Sequence, residues 1–307
     1  MTNNNNQNRR YFLQTLGLTA LGSTLFGCSN LFDKKEKGFT MGNTENLGLN
    51  LFIGHGSPMN AIEDNKFSKA QKELLKNKTP PKAVLVVSAH WVSEGTKVVT
   101  SPKPKIIYDF YGFPKELYNY QYNAIGEPTL AKETVKHINQ SKKFKAEETE
   151  EWGLDHGAWA VLTHLFPNAD IPVFQLSLNS QMNFLDHLAL ASELRTLRTQ
   201  NIMILSSGNM VHNLRMMGGE NPESPYDFAQ EFDEWAKSKI LAKDGKALAT
   251  FNGLNSKVVQ SSHPTLEHYV PLLYTMGASF ENETFEFPIT GFQEKAISMR
   301  SVMSIKA

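Results

Sequence analysis

Nine histidines stand in this chain, and five of them fall where a polypeptide turns or starts a helix. His55 is held between Gly54 and Gly56 after the apolar run LNLFI, His90 ends KAVLVVSAH, and His212 follows NIMILSSG in the stretch GNMVHN. His268, in HPTLEHYVP, begins a helical stretch after a Pro-Thr entry, and His156, in WGLDHGAW, starts another between Asp155 and Gly157. A lone histidine at a strand end is more often a hydrogen-bonded loop residue than a ligand. Three at the ends of three strands favour a shared site, because in open α/β sheets the ligand crevice lies beyond the carboxyl ends of the strands. Neutral imidazoles suit Zn, Fe, Cu and Ni, so a histidine cluster without cysteines points to a metal without naming it. Gly54 and Gly56 are expected to leave room for the bound group. Ser57 could be read as a nucleophile, but GHGSP is not the G-x-S-x-G elbow. His137 and His187 fall in surface-helix patterns, His164 on an apolar helix and His263 before a proline; these four read as structural.

The elements that must position these residues alternate in type. The unbroken apolar run of KAVLVVSAH is what a strand covered on both faces looks like. LNLFI, TKVVT, IPVFQLSL and NIMILSSG are further strand candidates, and KAISMRSVMSI alternates as a half-buried strand should. Between them lie helical stretches around SKAQKELLKN, EPTLAKETVKHIN, DHGAWAVLTHLF, NFLDHLALASELRTLRTQ, YDFAQEFDEWAKSKIL and LEHYVPLLYTMGA. This predicts an α/β fold: a single layered domain with a central mixed, mostly parallel sheet flanked by helices. The C-terminal strand is expected antiparallel at an edge.

The balance of 31 basic and 31 acidic side chains favours neither nucleic acid nor an acidic surface as partner and directs attention to a small molecule. The single cysteine, Cys28, excludes an internal disulfide and a thiolate metal cluster. It ends a stretch in which Arg9 and Arg10 precede a short apolar run, YFLQTLGLTALGSTLFG, interrupted by polar residues and too short to span a bilayer. RRYFL resembles a twin-arginine export signal, and LFGC resembles a lipoprotein lipobox, from which Phe26 departs. Residues 1–27 are therefore read as a signal peptide, 28–46 as a lipidated cysteine and polar tether, and 47–307 as the catalytic domain. That pattern implies an exported bacterial lipoprotein held on the periplasmic side, touching the membrane only through a lipid on Cys28.

From about Leu49 to the C-terminus the chain resembles the 4,5-DOPA dioxygenase extradiol family of LigB-like class III extradiol ring-cleavage dioxygenases. The motifs that carry the likeness are FIGHGSPMNAIEDN, VVSAHW, IYDFYGFPKELY, WGLDHGAW, NADIPVFQLSL, SSGNMVHNLR and HPTLEHYVPLLY. The resemblance implies one divalent metal, usually zinc, held by His55, His90, His212 and His268, with His156 as general acid/base. It also implies a catechol-type substrate and O2. Asp155 is expected to orient His156. Redox-inert Zn2+ cannot move electrons between catecholate and dioxygen, whereas Fe2+ with two histidines and one carboxylate is the arrangement oxygen chemistry ordinarily uses. Glu267 is the alternative carboxylate ligand, which would free His212 for proton transfer. The aromatic segment 106–113, IYDFYGF with its preceding Ile, is either a cover for the ring or a packed loop. A zinc-dependent hydrolase and a non-catalytic metal-binding lipoprotein are the alternatives on the same scaffold.

Overall fold

The structure, a computed structural model, describes residues 47–307; the expected signal segment, the tether and Cys28 lie outside the described residues. Strand β1 (Asn50–Gly54) leads through a 3-10 turn at Pro58–Ala61 to helix α1 (Lys66–Leu74), whose first N–H groups are satisfied by the Asn65 side chain. Strands β2 (Ala83–Ser93) and β3 (Thr96–Val99) follow, then an irregular stretch interrupted by the short α2 (Lys115–Asn119). Helix α3 (Pro128–Gln140) starts on a proline, whose missing N–H costs nothing in a first turn. Strand β4 (Ala146–Thr149), helix α4 (His156–Leu165), strand β5 (Val173–Asn179), helix α5 (Phe184–Leu194) and strand β6 (Ile202–Gly208) complete the first two thirds. Helices α6 (Asp227–Leu241), α7 (Gly245–Thr250), α8 (Ser256–Ser262) and α9 (Val270–Gly277) come next. Strands β7 (Glu283–Glu286), β8 (Phe292–Gln293), β9 (Ile297–Ser298) and β10 (Val302–Lys306) end the chain.

Eight strands form one sheet in the order β4-β3-β5-β2-β6-β1-β10-β7. Its centre is parallel, β5, β2, β6 and β1 all running one way, while β10 and β7 are antiparallel additions on one side and β3 opposes β5 on the other. The C-terminal strand is antiparallel as its alternation suggests, yet it is internal: β7, with its short run ETFE, takes the edge. The alternation of β2 explains the layers. Leu85 and Val87 face α3, α5 and α9 with Leu130, Leu190 and Tyr274, whereas Val84 and Val86 face α4 with Trp159 and Leu162. A third cluster seats α6 and α7 against Phe52 and Val302. Helix-bearing layers on both faces require every central strand to be apolar on both sides, as the runs in β1, β2 and β6 are. Two histidines read as surface residues are buried instead: His137 on α3 reaches the Glu193 carbonyl, and His187 on α5 reaches the Tyr274 hydroxyl. Each lies on the inward stripe of its helix and spends its polarity on a partner there.

Candidate metal centre

Beyond the carboxyl ends of β1, β2 and β6 the chain gathers five imidazoles. His55 comes directly after β1, and its backbone N–H donates to the Gly208 carbonyl at 3.0 Å, tying it to the end of β6. His90 lies inside β2, in the stretch between Val87 and Val92 where the register with β5 shifts. A bulge of this kind re-aims a side chain. His268 stands just ahead of α9, and its carbonyl passes so close to Gly208 that a Cβ there would meet it at 2.2 Å. Gly54 and Gly56 serve a similar purpose, which differs from the one expected of them. A Cβ on Gly56 would strike Gln293 Oε1 at 2.4 Å and Met299 Sδ at 2.6 Å, and one on Gly54 would strike the Met299 backbone at 2.8 Å. The space those glycines leave is filled by the β8–β9 hairpin and Met299, not by a ligand.

His55 Nε2 and His90 Nε2 lie 3.1 Å apart, and His268 Nε2 lies 3.2 Å from His90 Nε2. Each ring's other nitrogen faces outward to an acceptor. His55 Nδ1 is 2.9 Å from Ser207 Oγ, whose own proton goes to the Gly157 carbonyl at 2.5 Å. His90 Nδ1 is 3.0 Å from Asp109 Oδ2, and His268 Nδ1 is 3.3 Å from Glu267 Oε1. These partners place the proton on Nδ1 in all three rings and leave three Nε2 lone pairs facing one another. That arrangement is repulsive until a cation lies between them. Outward carboxylate and hydroxyl partners are also what metal-bound imidazoles ordinarily have. Metal–nitrogen bonds of about 2.0–2.1 Å put neighbouring ligand nitrogens roughly 3.0–3.4 Å apart and their ring centres about 4.5–5.3 Å apart. The ring centres of His55–His90, His90–His268 and His55–His268 are separated by 5.0, 4.8 and 5.3 Å. The donor set therefore fits a divalent ion.

The remaining residues expected at the site are nearby in other postures. His156 offers a donor atom within 4.8 Å of those of His55 and His90, but its ring lies against the face of His90 with centres 3.8 Å apart. His212 stacks flat on His268, at 3.5 Å between centres and 7° between planes. Glu267 Oε1 lies 3.3 Å from the outward nitrogen of His268 and accepts from Thr265 Oγ1 at 2.9 Å. Asp155 does not address the His156 ring. Its carboxylate accepts from Ser88 Oγ and Gln175 Nε2, each at 2.6 Å, and from the Ala158 backbone N–H, which makes it the N-cap of α4. The carboxylate at His156 is Asp109, from the segment 106–113, at 3.0 Å from its Nδ1 and 2.9 Å from its backbone nitrogen. Sequence reasoning passed over Asp109, whose one signal was an acidic residue inside an aromatic run.

Burial, reinforced by the neighbouring imidazoles, lowers the pKa of His55 and His268 well below the ordinary histidine value. His156 is lowered chiefly by burial and by His90, against the opposing pull of Asp109. All three are neutral at pH 7, the form that binds metal or accepts a proton. Burial pushes the Asp109 carboxyl up, while the adjacent His156 and His90 rings act the other way and hold it below its usual range.

The family model for the catalytic LigB subunit of aromatic ring-opening dioxygenase matches residues 51–298. The chain belongs to this family and is an extradiol-type, aromatic ring-opening dioxygenase. It is 40% identical over 253 residues to the 4,5-DOPA dioxygenase extradiol of Escherichia coli (strain K12), covering 82% of this chain and 93% of that one. It is 36% identical over 254 residues to the enzyme of the same name from Beta vulgaris, covering 80% and 92%. A crystal structure of an uncharacterized protein from Escherichia coli K12 superposes with a TM-score of 0.70 at 35% identity, covering 82% of this chain and 98% of that one.

Proposed function

We propose that this protein opens the ring of a catechol-type, DOPA-like substrate with O2, using one divalent metal held by Nε2 of His55, His90 and His268. The observation that carries the reading is the convergence of those three lone pairs, each backed by an outward acceptor. The names of the curated relatives support the substrate class. A divalent ion bound there would stabilise a catecholate by its charge and, if redox-active as Fe2+ is and Zn2+ is not, would supply the electron path that oxygen insertion needs. Zn2+ is then the resting or substitute occupant and Fe2+ the working one.

The protein's own groups do the rest. His156, neutral and adjacent to His90, takes a phenolic proton and returns it later, a task for a group that titrates near neutrality or below. His212, flat against His268, is the second proton carrier. Phe110 meets His156 edge-on at 5.6 Å and packs with Phe113 and Tyr118, which makes segment 106–113 the apolar cover that excludes water. Protein loaded with Fe2+ under nitrogen, given L-DOPA and then air, is expected to turn yellow as a ring-opened semialdehyde forms, while the Zn2+ form stays colourless. Absence of colour with L-DOPA and with plain catechol would overturn this reading.

The export pattern around Arg9, Arg10 and Cys28 supports a further proposal, that the enzyme works outside the cytoplasm on a lipid anchor. Cells fed radiolabelled palmitate should label the wild-type chain and not Cys28→Ser; equal labelling of both would sink it. Among the described residues no helix is long and apolar enough to cross a membrane.

A further inference from the structure

Asp109 lies on a segment without regular structure that is nevertheless held in strict register. Ile107 N–H donates to the Leu154 carbonyl and Leu154 N–H to the Lys105 carbonyl, each at 2.8 Å, so the segment runs beside the residues leading into α4. The Trp159 indole N–H reaches the Ile107 carbonyl at 3.1 Å, and the Tyr108 hydroxyl reaches the Tyr120 carbonyl at 2.6 Å. The carboxylate so presented divides its oxygens. Oδ2 contacts His90 Nδ1 at 3.0 Å; Oδ1 accepts the backbone N–H of His156 at 2.9 Å and lies 3.0 Å from that residue's Nδ1, off the line of a directed bond. Its side chain is only 9% exposed, and among the described residues its ion-pair contacts are these two imidazoles. The N-terminus of α4 thus meets two carboxylates, Asp155 as its cap and Asp109 on the first N–H, both where the helix favours negative charge.

We infer that Asp109 is the positioning residue of this centre: one carboxylate sets the proton of His90 on Nδ1, aiming Nε2 inward, and clamps His156 and the aromatic segment 106–113 beside it. The metal half of this inference rests on the ligand assignment proposed above. The other half does not, since the contacts are made by the protein alone. A side chain that holds the outward nitrogen of a metal-binding imidazole typically governs metal affinity by roughly 10–100-fold. An asparagine at 109 keeps the shape and one acceptor but loses the charge, and its amide presents a donor to one of the two imidazoles.

Two measurements on the full chain decide the matter. Long-range 1H–15N spectra of metal-free, histidine-labelled protein at pH 8, with His90 assigned by its loss in His90→Gln, should show the Nδ1–H tautomer in the wild type and a mixture in Asp109→Asn. Zn2+ affinity, read by competition with a chromophoric chelator, should fall about 10–100-fold in the same variant, with its far-ultraviolet circular dichroism unchanged. A purely structural role for Asp109 would leave the tautomer and the affinity alone. An unchanged tautomer together with wild-type affinity overturns the inference. If Asp109→Asn does not fold, Asp109→Ser is carried through the same two measurements with the same criteria. A wild-type chain that binds no Zn2+ or Fe2+ would instead overturn the metal assignment, while the tautomer would still decide the role of Asp109.

Discussion

Replacing His90 by alanine is expected to leave the chain without bound metal and without ring-opening activity. His90 Nε2 is the atom shared by both short nitrogen contacts of the centre, 3.1 Å to His55 and 3.2 Å to His268. Its removal should therefore cost more than the roughly 10–100-fold that loss of an outer partner costs a metal site. The informative comparison is with His212→Ala. The His212 ring lies parallel to His268 at 3.5 Å and does not share the spacing of the other three pairs, so that variant should keep one ion per chain and lose turnover. Elemental analysis alongside the yellow-product assay separates the two. An His90→Ala protein that retains one ion per chain would remove the basis of the ligand assignment. A metal-free His212→Ala protein would return His212 to the ligand set.

Acid should weaken the metal-free protein before its carboxylates are protonated. His187 and His263 are both fully buried, and burial depresses each pKa from 6.5 to about 4. Each has one ring nitrogen occupied, by the Tyr274 hydroxyl and the Met210 carbonyl respectively, and burial outweighs what those partners and the Asn179 backbone beside His187 offer the charged form. The folded state then binds fewer protons than the unfolded chain between pH 6.5 and 4. The stability these neutral imidazoles contribute is whole above pH 6.5 and is lost as pH falls towards 4. The loss is about 2 kcal/mol per residue by pH 5 and about 3 kcal/mol when complete. For the pair this rivals a typical net stability of 5–15 kcal/mol. Urea unfolding at pH 7.5 and pH 5 should show a drop of at least about 4 kcal/mol, and His187→Gln should lessen that drop by about 2 kcal/mol. Equal stability at the two pH values would refute the burial argument.

The strand ends could be read from sequence because an apolar run followed by a polar, glycine-rich turn has one sensible place in a layered α/β fold. His55, His90 and His212 were found that way, and His268 by its place at a helix start. What could not be read was orientation. His212 and His268 were given the same role, yet the Nε2 of His268 lies 3.2 Å from that of His90, while the His212 ring lies flat on His268. Asp155 directly precedes His156, which suggested a partner for its ring, but a residue just before a helix turns its side chain to the helix N–H groups, and so it caps α4. Asp109 was hidden for the opposite reason. It reaches the site from a segment with no periodicity, and only the pairing of Ile107 with Leu154 brings it there. The inward face of His137 was misread because Lys132, Glu133 and Lys136 make its helix look solvated, and that of His187 because Asp186 directly beside it suggested a polar side.

The position of β10 sets the order in which this enzyme can be assembled. Strand β1, which delivers His55, is flanked by β6 and β10, so its neighbours are made long after it. Pairings so distant along the chain are slow to close. Until residues 302–306 have been synthesised, β1 presents an open edge on the side away from β6, and β7 has no strand to pair with. All nine histidines are therefore synthesised before the strand that closes the sheet beside β1.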